Sequence, residues 1–82
     1  MYFIEWKEHA LQNLEKFEGQ IKKRIVKKVE AMSENPFSQD IKRLKGRDDF
    51  KLSVGDYGVI FEINKDKIII LKVGHRKDIY DK

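Results

Sequence analysis

Eighty-two residues make one small domain, and a chain this short buries only about 60–65% of its unfolded surface, which disfavours a deep internal cofactor cavity. There is no cysteine, so disulfides, thiolate metal sites and cysteine nucleophiles are excluded together, in keeping with a reducing cytoplasm. Charged residues make up 39% of the chain against 40% hydrophobic, with a formal net charge of +4, so the surface is crowded with charge and biased toward polyanions or acidic partners.

Tyr2 to Trp6 is short and mostly β-favouring, with Phe3 and Ile4 apolar, and predicts an opening strand. It has neither the basic start nor the long apolar stretch of a secretory signal. Lys7 to Phe17 carries Ala10, Leu11, Leu14 and Phe17 at helical spacing, with His9 on the surface side, and Gly19 breaks the pattern. A second helix is predicted over Gln20 to Ser33. Ile21, Ile25, Val29 and Met32 form its apolar stripe, Val26 widens it, and Lys22, Lys23, Arg24, Lys27, Lys28 and Glu30 form a solvated face. Asn35-Pro36 ends this helix, because the residue before a proline is pushed out of the helical region. The two helices make an αα-hairpin with one apolar seam.

The remainder alternates as strands do. Phe50, Leu52 and Val54 point one way and Lys51 and Ser53 the other, and Gly55-Asp56 is a turn signal. Tyr57, Val59, Phe61 and Ile63 alternate with Gly58, Ile60 and Glu62, and Asn64 to Lys67 forms a hairpin loop. Ile68 to Val73 is nearly continuously apolar, as a central strand would be, and Gly74 stops it. Its longest uninterrupted apolar run, Ile68 to Leu71, is far too short to span a bilayer, so no membrane role is expected. The order β-α-α-β-β-β predicts an α+β fold with two helices on one face of an antiparallel sheet. Leu11, Leu14, Ile25, Val29, Phe50, Tyr57, Val59, Phe61 and Ile69 are the expected core.

With the helices on one face, the other face is open. Lys51, Ser53, Glu62 and Lys72 project from it, His75, Arg76 and Tyr80 leave the sheet at one end, and Lys42, Arg43, Lys45 and Arg47 add charge before the meander. Cations for phosphates and rings for stacking are what a single-stranded nucleic acid requires. Cleaving RNA through its own 2′-hydroxyl further needs a base, a proton for the leaving 5′-oxygen, and cations against the crowded phosphorane. Arg76 offers a bidentate clamp, Lys51 a compact charge or an amine base, Tyr80 a ring or a hydroxyl, and His75 an imidazole. The structural alternatives are surface charge for Lys42, Arg43, Lys45 and Arg47, and a packing role for Tyr80. Two histidines far apart and no acidic cluster at ligand spacing give no metal site, and no cofactor is expected.

The stretch Phe50-Lys-Leu-Ser-Val-Gly-Asp-Tyr57-Gly-Val-Ile-Phe-Glu-Ile, followed by Ile69-Ile-Leu-Lys-Val-Gly-His-Arg76-Lys-Asp-Ile-Tyr80, resembles the C-terminal half of the RelE/ParE toxin superfamily, most closely the RelE branch. The first half agrees, with a short strand, a helical hairpin, and Asn35-Pro36 ahead of Lys42 to Gly46. The resemblance covers residues 1–82 and implies a RelE-like fold. It also implies a ribosome-dependent mRNA interferase that cuts the codon in the decoding site, without metal, and that is neutralised by an acidic, RelB-like antitoxin folding on binding. The site residues it implies are Lys51, Arg76 and Tyr80, with Lys42, Arg43, Lys45, Arg47 and His75 around the RNA.

Two positions depart from that pattern. The family usually has a basic residue where this chain has Ser53, and an arginine directly after the tyrosine of the second meander strand, where this chain has Gly58. Attenuated activity is the expectation, with a bulge or close backbone approach at Gly58 as the structural alternative. Two other functions stand beside the nuclease: a ParE-like gyrase poison on the same fold, and a non-catalytic module that keeps only the antitoxin groove.

Overall fold

The computed structural model describes residues 1–44 and 49–79. Its elements are β1 (Phe3–Trp6), α1 (Glu8–Glu15), α2 (Gly19–Ala31), a 3-10 turn (Pro36–Ser38), β2 (Ile41–Arg43), β3 (Asp49–Val54), β4 (Tyr57–Asn64) and β5 (Lys67–His75). Both predicted helices are present; α1 is shorter at both ends than expected, and α2 begins one residue earlier and stops two residues sooner. Glu8 stands in the first turn of α1, where a negative charge suits the helix dipole. The break between the helices lies before Gly19, which opens α2. Beyond α2, the Asn35 side chain accepts a hydrogen bond from the Phe37 N–H (3.1 Å) and starts the turn at Pro36.

The five strands form one sheet in the order β1-β5-β4-β3-β2. The three meander strands pair antiparallel as predicted, and two features modify the expected sheet. β1 lies parallel to β5, with Ile4 opposite Ile68 and Trp6 opposite Ile70, so the sheet is mixed. A three-residue strand, β2, is added on the far edge against β3. β5 also runs through Gly74 to His75, because Gly74 pairs with Gly58 and His75 with Tyr57. Glycine weakens a strand without ending it when the ladder on its neighbour continues.

The hairpins are tight. Gly55 has φ +60°, the left-handed conformation a two-residue turn between Val54 and Tyr57 requires, and Lys65 adopts φ 59° in the turn between Asn64 and Lys67. In the β4–β5 ladder Ile60 pairs with Lys72 while Phe61 pairs with Ile70, so Leu71 is the extra residue of a β-bulge.

The helices pack on one face of the sheet. Ala10 and Leu14 of α1 and Ile25 and Val29 of α2 meet Leu52, Val54, Val59, Phe61, Ile68, Ile70 and Val73 in a continuous core, with Met32 at the end of α2. Leu14, Ile25, Val29, Val59, Phe61 and Ile69 are buried as expected, but Leu11 is 43% exposed, and Phe50 and Tyr57 are only half-buried. Leu11 falls one position off the Ala10–Leu14 line, and the short α1 buries a stripe only one residue wide.

β1 covers β5 only from Lys67 to Ile70, and among the described residues no strand pairs with the next part of that edge. Asn13 of α1 fills the gap: its Oδ1 accepts a hydrogen bond from the Val73 N–H (3.1 Å), sixty residues away in sequence. Replacing Asn13 by leucine leaves a part-buried amide without that acceptor, so the protein is expected to lose about 1–2 kcal/mol of stability. Urea unfolding of the two proteins measures the difference, and an unchanged midpoint would show that water replaces Asn13.

Candidate functional site

The face of the sheet away from the helices is organised in rows by strand register. One row runs Lys42 (β2), Lys51 (β3), Ile60 (β4), Lys72 (β5), each residue opposite the next. Residues opposite one another in antiparallel strands share a face, so three lysines line up across four strands, spanning about 14 Å at the usual strand spacing. Ile60 is 5% exposed and lies between Lys51 and Lys72, its register partners on the two neighbouring strands. Lys42 directly opposite Lys51 is a like-charge pair, an arrangement that does not favour the sheet itself.

The adjacent row is Ser53, Gly58, Gly74 and carries almost no side chain. The chain beyond β5 folds back over it. The Arg76 N–H donates to the Asp56 carbonyl (2.9 Å), and the Asp78 and Ile79 N–H groups donate to the His75 carbonyl (2.8 and 3.0 Å). This turn lays Ile79 on Gly58, where it is 4% exposed. A Cβ at Gly58 would stand 3.2 Å from Ile79 Cδ1 and 3.5 Å from Lys51 Cδ. Close approach is therefore the structural circumstance of Gly58. An arginine there would meet Ile79 first.

The predicted site residues separate into those the fold brings together and those it does not. Lys42 and Lys51 share the row, and the returning turn sets Arg76 at the same end of the sheet, exposed beside the β3–β4 turn. Arg43 points to the opposite face, with its guanidinium carbon 6.0 Å from the centre of the Phe50 ring. His75 likewise sits on the helix side: its ring meets the edge of Tyr57 at 5.5 Å, Tyr57 in turn packs on Phe17 of α1 at 5.2 Å, and the Lys77 N–H donates to its Nδ1 (3.2 Å). His75 and Lys72 do border a common cleft of about 380 Å³ along the outer edge of β5, together with Asn13, Phe17 and Ile79. Lys45, Arg47 and Tyr80 lie outside the described residues. Lys72 completes the lysine row, and only the bulge at Leu71 turns it to the open face. Among the described residues, no group of His, Asp and Glu is placed to hold a metal ion.

The family model for the ParE toxin of type II toxin–antitoxin systems, parDE, matches residues 4–80. The chain is similar to Toxin RelE3 of Methanocaldococcus jannaschii, 38% identical over 76 residues that cover 87% of this chain and 86% of that protein. Among solved structures it is similar to a chain of the RelB-RelE antitoxin-toxin complex from Methanococcus jannaschii, with TM-score 0.77, 34% identity, and coverage of 94% of this chain and 95% of that one. It shares its fold with a chain of the toxin-antitoxin complex RelBE2 from Mycobacterium tuberculosis, with TM-score 0.83 at 24% identity, covering 92% and 98% of the two chains.

The seat of Ile79 on Gly58 yields a coupled prediction. Gly58→Arg and Ile79→Ala each remove the same contact and are each expected to destabilise by about 2 kcal/mol, and the double variant by little more than either. A double-mutant cycle in urea measures this, and strictly additive losses would show that the two residues do not depend on each other.

Proposed function

This chain belongs to the RelE/ParE toxin superfamily, the toxins of type II toxin–antitoxin systems, and we propose that it acts as a RelE-like endoribonuclease on ribosome-bound mRNA. The observation that carries the proposal is the row Lys42, Lys51, Lys72 on the open face, with the turn bearing Arg76 folded back beside it. A strand of RNA laid across that row meets cations spaced along its phosphates.

In the proposed reaction the 2′-hydroxyl of one nucleotide attacks its own 3′-phosphate and the bond from phosphorus to the 5′-oxygen breaks. The products are a 2′,3′-cyclic phosphate and a free 5′-hydroxyl. The proton leaves the 2′-oxygen and another is delivered to the 5′-oxygen. Lys51 and Arg76 offset the charge that builds on the phosphorane, where preorganised cations act most strongly. Tyr80 supplies the stacking ring or the hydroxyl, and Lys42, Lys45 and Arg47 hold the surrounding RNA, whereas Arg43 and His75 face the helix side and take no part in holding this strand. Ser53 and Gly58, in place of basic residues, set the rate below that of a relative carrying both. Because Ile79 occupies the place over Gly58, restoring the arginine raises cleavage only when the turn gives way.

The partner proposed for the free toxin is an acidic, RelB-like antitoxin, and the place of action is the cytoplasm with its ribosomes. Among the described residues no helix is long and apolar enough to cross a membrane. A second reading, inhibition of gyrase, has the ParE name of the matching family model in its favour.

Primer-extension mapping on translating ribosomes, run beside a gyrase supercoiling assay, separates the two. Cleavage is expected to fall about 100-fold in Arg76→Ala and in Lys51→Ala, the usual effect of removing one preorganised transition-state contact. Gyrase inhibition without cleavage, unchanged in both variants, would replace the nuclease reading with the second one.

A further inference from the structure

A second concentration of positive charge lies away from the open face. Lys22, Lys23, Arg24, Lys27 and Lys28 fall on α2 against the single acid Glu30, a surplus of four that equals the formal +4 of the entire chain. α2 lies on the helix side of the sheet, with Ile25 and Val29 buried in the core, so its cations form a second basic surface on the far side from the lysine row. Lys23 and Lys27, and Arg24 and Lys28, stand four residues apart, about 6 Å along the helix axis. Like charges at that spacing repel and weaken a helix, so α2 carries a strain that an anionic partner relieves.

The ridge also has a shaped side. Arg24, Lys27 and Lys28 line a cleft of about 580 Å³ between α2 and the end of β3, closed by Gln39, Asp40, Ser53 and Gly55. The Ser53 N–H donates to the Asp40 carbonyl (2.9 Å) and fixes that wall. The Arg24 guanidinium reaches the β3–β4 turn, its Nη2 3.7 Å from where a Cβ at Gly55 would stand, an ordinary contact distance.

The kind of partner follows from what the ridge lacks. The large apolar side chains left exposed among the described residues are Met1, Phe3, Leu11 and Phe37, and none is on α2. A protein partner would need apolar and aromatic surface at the centre of its interface, whereas nucleic-acid interfaces are far more positive and polar. We propose that the α2 ridge and its cleft bind the sugar–phosphate backbone of folded, double-stranded RNA, independently of the strand held on the opposite face. The choice of RNA rests on the nuclease reading of that opposite face; the phosphate contact itself does not, and binding at the ridge requires no cleavage.

The test uses the complete chain, a fluorescent 20-base-pair RNA duplex, a DNA duplex of the same length and an acidic helical peptide, read by anisotropy across a salt series. The variant Arg24→Gln/Lys27→Gln/Lys28→Gln is compared with Lys7→Gln/Lys16→Gln/Lys67→Gln, which removes the same charge elsewhere, with circular dichroism confirming the fold of each. The ridge variant is expected to bind the RNA duplex roughly 10- to 100-fold more weakly at about 0.1 M salt, with the slope of log affinity against log salt reduced by about 2–3. The control is expected to change affinity less than about threefold. Equal losses in the two variants would overturn the proposal in favour of diffuse net charge. It would also fall if the DNA duplex bound more tightly than the RNA, or if the ridge variant lost only the acidic peptide. None of these outcomes depends on whether Lys51 and Arg76 cleave RNA.

Discussion

The register of β5 against β4, with its single bulge, is the constraint on which the remaining arrangement depends. Ile68, Ile70 and Lys72 have the same parity, and in an unbroken strand all three would face the same way. The extra residue Leu71 reverses the parity between Ile70 and Lys72. Ile68, Ile70 and Val73 then enter the core, while Ile69, Lys72 and Gly74 face outward, each opposite Glu62, Ile60 and Gly58 in turn. Without the bulge one of two things fails: a lysine is forced beneath the helices, or the isoleucines leave the core.

The two faces of the sheet then divide the physical tasks. The helix side holds the main apolar core, which supplies the favourable free energy of folding. The other side has only a thin apolar layer, in which Ile60, Ile69 and Ile79 are buried outside that main core. A thin layer leaves lysine stems and backbone close to solvent, which suits a surface meant to receive another molecule. The returning turn depends on this layer. Ile79 can settle only where a neighbouring row lacks side chains, and Ser53, Gly58 and Gly74 provide that row. The glycine that looks like a missing arginine in the sequence is, in three dimensions, the seat of the turn that carries Arg76.

Much of this is legible in the residues, and the failures have physical causes. The helical stripe at Ile25 and Val29 and the alternation through Leu52, Val59 and Phe61 specify helices, strands and core directly, because period and burial agree there. β2 is not legible: two of its three residues are charged, and only the ladder to β3 makes it a strand. That is also why Lys42 enters the sequence reading as loose charge and the structure as a neighbour of Lys51. The parallel pairing of β1 is set by where the helical hairpin returns the chain, which local pattern does not encode. Ile68 to Leu71 is apolar at every position, so no periodicity marks the bulge that turns Lys72 outward. Gly74 reads as the end of β5, which puts His75 beyond the sheet beside Arg76. In the fold His75 is the last strand residue and packs on Tyr57 instead.

The proposed function requires the open face, through Lys42, Lys51 and Lys72, to receive a strand of RNA. The most direct measurement is nuclear magnetic resonance of the 15N-labelled protein titrated with a short single-stranded RNA whose reactive 2′-hydroxyl is replaced by hydrogen. The largest shifts are expected at the amides of Lys42, Lys51, Ser53, Gly58 and Lys72, with smaller ones along the core-facing residues of α1. Saturable binding that leaves those five amides unmoved would contradict an RNA-binding open face.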